Sequence, residues 1–508
     1  MAEIETRETA LALPASPTFA AYTDVLTRLA YPLALAGALS IWLLAIRAPL
    51  WLDETLSFWQ ISGGFSNIWE RSSQMPSSIG YLYTLWAAKS ILGSSELALK
   101  LPSLFALLGA VYFLFRSAKE LFGQEAALLA CVFLALEGNV AFAATDARPY
   151  AFALLMTTVA IFAYVRWMSG HEMHQAMAFG AAAAGILYYH YLFGSILPAF
   201  AIYYLIARGR FLRSDLRQLA VVVGTFGILV IPLVVRVVSL YNTRSSHTVE
   251  QSQHPVLQVF NTLAPKQMLI GLLLAAFLAA LVKRIRVPDH ATFPQALLPL
   301  LLATVPAAVL FGLSTATPLR LVIPRYFSVV APGSALMWGF LATFVDSRWL
   351  RQVFCVGLVA VTLWEMVHSP FVGRHELSFK RAHELVNTEL AKEQGPVLVC
   401  SAFIESNYVR MPDSSSDDPL FSQTYYYPIN ASVTLLPMIL NDEAVRVSTE
   451  HILAATLRGQ RILAVAGPPS YATIEWLANY TRGTFTARVL GRFDEIAVVE
   501  FRPIAGTH

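Results

Sequence analysis

Apolar residues occur in long runs along this chain, and short polar or charged segments separate the runs. The longer runs are about 18 to 22 residues, the length that a helix needs to cross a hydrocarbon core of about 30 Å at about 1.5 Å per residue. The pattern predicts about eleven membrane-spanning helices. The predicted spans are Leu29–Ile46, Ala98–Phe115, Ala126–Phe142, Tyr150–Val165, Met177–Tyr189, Leu192–Ile206, Leu219–Val235, Met268–Val282, Pro294–Leu313, Phe327–Phe344 and Val353–Val367.

The composition agrees with this pattern. Of the 508 residues, 56% are hydrophobic and only 14% are charged, with a mean hydropathy of +0.55, whereas about a quarter of a soluble chain is charged. The chain is therefore predicted to be an α-helical polytopic membrane protein. Its formal net charge of +3 does not indicate nucleic-acid binding. Cys131, Cys355 and Cys400 provide neither a disulfide framework nor a zinc site, and we expect no metal and no cofactor.

Basic residues indicate the orientation in the membrane. If the N-terminus is cytoplasmic, the inner loops receive compact basic clusters, as the positive-inside rule requires. Most basic residues on the opposite side stand singly beside apolar helix ends. An odd number of spans then places the long first loop, residues 47–97, and the C-terminal region together outside the cytoplasm. The inner clusters are Arg116 and Lys119; Arg166; Arg208, Arg210, Arg213 and Arg217; Lys283, Arg284 and Arg286; and Arg348 and Arg351.

The pattern changes after residue 368. Short β-rich runs alternate with helical stretches, which predicts a small extracytoplasmic α/β domain over residues 369–508, following a transmembrane domain over residues 1–368. The turn after the third strand reads GPPS and no GxGxxG is present, so we do not expect nucleotide binding there. The predicted strands are Val397–Cys400, Val433–Leu436, Ile462–Ala466 and Ile496–Phe501, and the predicted helices are Phe379–Lys392, Glu443–Leu457 and Tyr471–Tyr480.

Adjacent carboxylates follow the first predicted span. Asp53 and Glu54 lie in the string PLWLDETLS, beside Trp51. Charged groups at a membrane boundary are costly to hold near lipid and are usually functional or paired. The pair is either part of a functional site or a pair of groups that simply face water at a helix end.

Two further polar clusters fall on the same side of the membrane. TDARPY contains Asp146 and Arg148, which either belong to a site or form a simple ion pair. LRLVIPRYF contains Arg320 and Arg325, which either bind an anion or snorkel to the interface. A carboxylate base together with arginines that hold a phosphate is what transfer from a lipid phosphate to a hydroxyl requires.

Several strings resemble a known family. WLDETLS, MPSSIGYLYTLWAAKSILGSSELALKLPSLFALLGAVYFLFRSAKELFG, DARPYAFALL, YYHYLFG and IPRYFSVVAPGSAL look like the polyprenyl-phosphate-sugar-dependent glycosyltransferases of the GT-C fold. Within these, the chain is similar to the bacterial branch that includes protein-mannosyltransferase-like enzymes, rhizobial galacturonosyltransferases and the lipid A aminoarabinose transferase. The likeness extends over almost all of residues 29–367, and the Asp-Glu pair is its most specific element.

The resemblance implies roles for individual residues. Asp53 matches the family's catalytic carboxylate and Glu54 its acidic neighbour, which we expect to pair with a basic residue such as Arg148. Arg148 and Arg325 match basic positions near the lipid phosphate, whereas Gln74 stands where many relatives have His or Lys before a proline. The other candidates are Arg320 and Lys100 for the phosphate, and Asp146, His190 and Tyr326 as further site residues. His190 either lines the site or is a satisfied buried histidine.

The function that the resemblance implies is an inverting transfer of one sugar from a polyprenyl phosphate to an extracytoplasmic acceptor hydroxyl, on a glycan, lipid or protein, at a bacterial inner membrane. The alternative is a transporter or lipid flippase, which would place ionisable groups near the midplane on broken helices. The ionisable groups inside the predicted spans are few, namely Glu137, Arg236 and Glu365, and they lie near outer helix ends.

The predicted orientation is testable with reporter fusions. A fusion at Gly506 is expected to be active with a periplasmic reporter and silent with a cytoplasmic one, and a fusion at Arg213 is expected to give the reverse. The opposite pattern at Gly506 would place all three polar clusters in the wrong compartment.

Overall fold

The structure is a computed structural model that describes most of the chain. The described residues are 17–44, 46–75, 77–170, 172–207, 216–242, 293–317, 321, 323–368, 379–403, 406, 418–440, 446–447, 449–450, 453 and 459–504. The predicted span Met268–Val282, Arg320 and most of the predicted helix Glu443–Leu457 lie outside the described residues.

Helices coincide with each predicted span in the described part of the chain. They are α1 (Pro17–Leu44), α2 (Leu52–Ser62), α3 (Ile68–Gln74), α4 (Ile79–Leu92), α5 (Glu96–Phe122), α6 (Gln124–Leu136), α7 (Gly138–Ala144), α8 (Tyr150–Gly170), α9 (Met173–Tyr189), α10 (Leu197–Ala207), α11 (Leu216–Asn242), α12 (Phe293–Ala316), α13 (Ala331–Ala342) and α14 (Arg348–His368). Short 3-10 segments at Phe65–Asn67, Tyr191–Ile196 and Pro324–Val330 connect some of them.

The structure does not confirm the predicted number of spans. Among the described residues, four helices are long and apolar enough to cross a membrane, namely Glu96–Phe122, Tyr150–Gly170, Leu216–Val234 and Pro294–Ala316. A fifth span is obtained if α6 and α7, which are bent by 73° at Glu137, are counted as one. The predicted eleven spans are therefore not confirmed, because breaks such as the one at Glu137 and the 3-10 segments divide several apolar runs into shorter helices.

The first outer loop is helical. The sequence places Asp53 where the first span ends, but α1 ends at Leu44 and Asp53 lies on a separate helix, α2. Pro49, between the two helices, has no N–H to donate to a continuing helix. The catalytic candidate is thus carried by a separate short helix and not by the end of a membrane span.

Small residues allow the membrane helices to pack closely. Gly339 on α13 lies against α6, where an added Cβ would come within 2.7 Å of the Ala126 oxygen and 2.9 Å of the Ala130 Cβ. Trp42 on α1 is also buried, and its Nε1 donates to the Ala135 oxygen at 3.0 Å. Close approach through small residues is typical of helices packed in membranes.

The C-terminal region forms the predicted α/β fold. It contains α15 (Phe379–Lys392), β1 (Val397–Cys400), α16 (Ser422–Tyr426), β2 (Val433–Leu436), β3 (Ile462–Ala466), α17 (Tyr471–Tyr480), β4 (Phe485–Phe493) and β5 (Ile496–Pro503). The strand order is β2-β1-β3-β5-β4, with β1 parallel to β2 and β3, and β5 antiparallel to β3 and β4. The four predicted strands are confirmed. β4 was missed because it is a largely exposed edge strand with little apolar pattern.

Candidate active site

Asp53 lies in the first turn of α2 and is accessible. The extended backbone of Trp51 precedes the helix, and a carboxylate in the first turn is stabilised by the unpaired N–H groups of that turn. The Asp53 side chain is 18% exposed. It is therefore partly accessible while remaining held by its neighbours.

Two arginines from different segments meet at the Asp53 carboxylate. Arg325, on the segment Pro324–Val330, places its Nη1 3.1 Å from Asp53 Oδ2. Arg148, in the turn before α8, places its Nη2 3.8 Å from the same oxygen. Its Nη1 also donates to the Asp53 backbone oxygen and to Ser57 Oγ, both at 3.2 Å. Two guanidiniums against one carboxylate leave one positive charge unneutralised within this group.

Each arginine has one donor atom that makes no hydrogen bond with the described residues. The Nε atoms of Arg148 and Arg325 are buried and have no hydrogen-bond partner among the described residues. A guanidinium presents its donors in a fixed fork that matches phosphate oxygens. The arrangement can therefore hold an anion next to an accessible carboxylate.

Glu54 has a different environment from its neighbour. It is 1% exposed; its Oε2 accepts from the Trp51 N–H at 3.0 Å, and its Oε1 accepts from the Ala147 N–H at 2.6 Å. Lys100 places its Nζ 3.8 Å from Oε2. The sequence predicts a pair between Glu54 and Arg148, and this is wrong, because Arg148 is directed to Asp53 and the cation beside Glu54 is Lys100.

Lys100 supports Glu54. Its side chain is completely buried, and its Nζ donates to the Ala48 oxygen at 2.7 Å. These contacts leave it inside the protein, whereas the sequence suggested it as a phosphate ligand. We therefore do not assign the phosphate to Lys100.

Asp146 is also buried behind the site. Its Oδ1 accepts from Trp51 Nε1 at 2.9 Å, and its backbone oxygen accepts from Ser103 Oγ at 2.7 Å. Burial and the charge of Glu54 raise the pKa of Asp146 well above its ordinary value. Burial also raises the pKa of Glu54, and the charge of Lys100 opposes that shift. Burial thus favours the protonated form of the Asp146 carboxyl.

An aromatic wall borders the two arginines. The His190 ring lies 5.0 Å from the Tyr150 ring and 5.6 Å from the Tyr326 ring, between centroids. The Arg325 guanidinium is 5.8 Å from the Tyr326 centroid. Burial, and then the charges of Arg148 and Arg325, lower the pKa of His190 to about 3. His190 therefore lines the site as a neutral ring.

Arg236 is a site candidate that sequence reasoning treated only as an ionisable group within a span. α11 brings it to the C-terminal end of α3, where its Nη1 donates to Ser73 Oγ at 2.8 Å and its Nη2 donates to the Ser72 oxygen. The residue is 3% exposed, and its guanidinium lies over Trp69, 5.5 Å from the ring centroid. In the described part of the chain it pairs with no carboxylate. It brings a positive charge to the segment where Gln74 departs from the family pattern.

Two polar residues noted in the sequence remain, Arg320 and Glu137. Arg320 lies outside the described residues. Glu137 caps α7, because its Oε2 accepts from the Val140 N–H at 2.7 Å and its Oε1 accepts from Asn139 Nδ2 at 2.9 Å, which gives it a local role. Within the described ranges, no three His, Cys, Asp or Glu side chains come together as metal ligands.

Comparisons with known proteins identify the fold. Residues 76–235 match the family model described as dolichyl-phosphate-mannose-protein mannosyltransferase. The chain is similar to the crystal structure of ArnT from Cupriavidus metallidurans bound to undecaprenyl phosphate, with a TM-score of 0.55 and 13% identity over 93% of this chain and 98% of that chain. The apo structure of the same protein gives a TM-score of 0.57 and 14% identity over 95% and 98% of the two chains. The comparison with curated protein sequences gave no match.

The chain has the GT-C fold of polyprenyl-phosphate-sugar glycosyltransferases. The resemblance predicted from the sequence strings is thus confirmed for the fold. At this level of identity a structural match defines the fold, and the chemistry is argued from the residues at the site.

The neutral state of His190 predicts an acid-sensitive stability. Its pKa of about 3 lies below the ordinary value of 6.5, so as the pH falls the unfolded chain binds a proton that the folded chain does not. The stability that depends on neutral His190 is complete above about pH 6.5 and is reduced by about 2 kcal/mol near pH 5. Thermal unfolding in detergent at stepwise lower pH should show that His190→Gln loses less stability than the unsubstituted protein.

The matched control is His174→Gln, because His174 has a 65% exposed side chain. It is expected to follow the unsubstituted protein at every pH. Equal losses in the His190→Gln variant and the unsubstituted protein would mean that His190 accepts a proton in the folded state.

Proposed function

We propose that this protein transfers one monosaccharide from a polyprenyl-phosphate donor to an acceptor hydroxyl on the extracytoplasmic face of a bacterial inner membrane. The observation that carries the proposal is the convergence of Arg148 and Arg325 on the accessible carboxylate of Asp53. A carboxylate and two guanidiniums thus lie within one small site, in a protein with the GT-C fold, and this supports the proposal.

The proposed reaction is a single displacement. The acceptor oxygen attacks the anomeric carbon while the Asp53 carboxylate takes the hydroxyl proton. The bond between the anomeric carbon and the phosphate oxygen breaks, and the polyprenyl monophosphate leaves with the electron pair of that bond. The configuration at the anomeric carbon is inverted. Arg148 and Arg325 stabilise the charge that develops on the leaving phosphate.

Accessibility selects Asp53 over its neighbours as the base. Asp53 is 18% exposed, whereas Glu54 and Asp146 are 1% and 0% exposed. A base must lie within hydrogen-bond reach of the proton that it removes, and the two buried groups have their oxygens directed inside the protein. Glu54 and Asp146 therefore hold the site in shape.

Arg236 is a second candidate for the donor phosphate. It is buried beside Tyr191, and the residue before Tyr191, His190, is part of the aromatic wall of the Asp53 site. Its charge has no carboxylate partner among the described residues, which favours an anion nearby.

The comparisons support the lipid nature of the donor. The ArnT crystal structure contains undecaprenyl phosphate, and a polyprenyl phosphate is the product that the proposed displacement releases. The partners of the protein are then a polyprenyl-phosphate sugar, an acceptor glycan, lipid or protein, and the bilayer. With the N-terminus in the cytoplasm, the C-terminal domain lies in the periplasm.

Asp53→Asn tests the base. The substitution keeps the size of the side chain but removes the proton acceptor, so transfer is expected to fall by about 10²- to 10⁴-fold while donor binding is retained. The measurement is release of polyprenyl phosphate from a panel of radiolabelled polyprenyl-phosphate sugars by the purified protein.

The matched control for Asp53→Asn is Glu54→Gln. This change is expected to act through stability and to cost less activity in the folded fraction. A folded Asp53→Asn variant with a near wild-type rate would remove Asp53 from the role of base.

Arg148→Lys and Arg325→Lys test the phosphate site. Lysine keeps the charge but lacks the fork of donors, so each variant is expected to use the donor about tenfold less efficiently. The measurement is the transfer rate as a function of donor concentration, with Arg236→Lys assayed in parallel.

The control is Arg166→Lys, a 44% exposed arginine that pairs with Glu120 and lies on a predicted inner loop. It is expected to behave as the wild type. Wild-type donor use by both the Arg148→Lys and Arg325→Lys variants would place the phosphate elsewhere, and a selective loss in Arg236→Lys would place it at α11.

A further inference from the structure

The helix that carries Asp53 has two functional faces. Asp53 and Ser57, four residues apart, lie on the face that meets Arg148. Leu52, Leu56 and Trp59 follow a helical spacing on another face and are all buried. The second face does not contribute to the core of the membrane helices.

That second face belongs to the hydrophobic core of the C-terminal domain. Leu52, Leu56 and Trp59 are part of one buried cluster with residues of α15 and of the sheet. Representative members of this cluster in the C-terminal domain are Phe379, Val386, Val399, Leu463 and Val498. The predicted boundary at residue 368 divides the chain into two regions, but the two regions share a hydrophobic core. α2, which belongs to the first region, completes the core of the C-terminal domain.

Polar contacts fasten the start of α2 to the same domain. Tyr427, directly after α16, accepts from the Leu50 N–H at 2.8 Å and donates from its hydroxyl to Glu96 Oε1 at 2.7 Å. Lys380 of α15 pairs with the same carboxylate at 3.1 Å. The Tyr427 hydroxyl thus links the backbone three residues before Asp53 to the first turn of α5.

α16 itself lies across α2. Thr55 Oγ1 and Ser422 Oγ are 3.4 Å apart, and the Phe58 and Tyr426 rings meet edge to face at 4.7 Å. Tyr426 also donates from its hydroxyl to the Ser94 oxygen at 2.9 Å. Of the two tyrosine hydroxyls, only that of Tyr427 bonds to the backbone leading into α2.

We infer that the C-terminal domain positions the carboxylate of Asp53 for catalysis, with Tyr427 as the positioning residue that fixes the start of α2. The inference rests on the proposed function, in which Asp53 is the base. A base displaced by a fraction of an ångström loses alignment with the acceptor hydroxyl without losing its charge. The turnover rate therefore depends on this contact more than donor binding does, because Arg148 and Arg325 come from other segments.

Tyr427→Phe tests the inference with Tyr426→Phe as the matched control. Each variant removes one hydroxyl from the same interface and keeps the ring. Tyr427→Phe is expected to lower kcat about tenfold with little change in the KM for the donor, and to speed backbone hydrogen exchange in residues 52–62. Tyr426→Phe is expected to leave kcat and the exchange of these residues near wild type.

The two measurements separate the inference from the proposed function. If the wild type transfers no sugar from any polyprenyl-phosphate donor, the proposed function fails, and hydrogen exchange alone decides whether Tyr427 holds α2. If the wild type is active and the two variants are equal in kcat and in exchange, the positioning role is overturned. If Tyr427→Phe does not fold, Ser422→Ala replaces it, with a smaller loss of kcat expected and a wild-type kcat and exchange counting against the inference.

Discussion

A carboxylate buried at the edge of a membrane is stable only when its charge and its lone pairs are satisfied. Glu54, at the centre of the site, is such a carboxylate. Its partners are the Trp51 N–H, the Ala147 N–H and the Lys100 ammonium. They come from three separate parts of the chain. Removing one partner of a buried ion pair costs about 3–5 kcal/mol, so the three segments are held in one arrangement.

This arrangement brings the residues of the proposed site together. Ala147 directly precedes Arg148, and Trp51 lies two residues before Asp53, so the contacts of Glu54 also bring Arg148 to Asp53. Successive residues on a helix point about 100° apart, which lets Glu54 face inward while Asp53 remains accessible. The two adjacent acids thus differ in their structural roles. Glu54 holds the segments together, and Asp53 remains accessible.

The sequence predicted the features that depend on residue type alone. Apolar runs predicted the helices, and the strings around Asp53, Arg148 and Arg325 predicted residues that the structure brings together. Pairings were less predictable, because Glu54 and Lys100 are distant in sequence and the choice between Lys100 and Arg148 depends on how α5 packs. The hydropathy pattern also did not determine the number of spans, because a helix break at a capped position such as Glu137 leaves the hydropathy almost unchanged.

The short length of α2 explains why the C-terminal domain packs against the site. α2 has 11 residues, and isolated helices shorter than about 12 to 15 residues are marginal in water. Contacts with neighbouring elements must therefore keep α2 helical. Buried charges and arginines hold it on the side of the membrane helices, and an apolar core holds it on the side of the sheet. A helix held from both sides cannot rotate to relieve one contact without breaking another, and this restriction keeps the Asp53 carboxylate directed at one place.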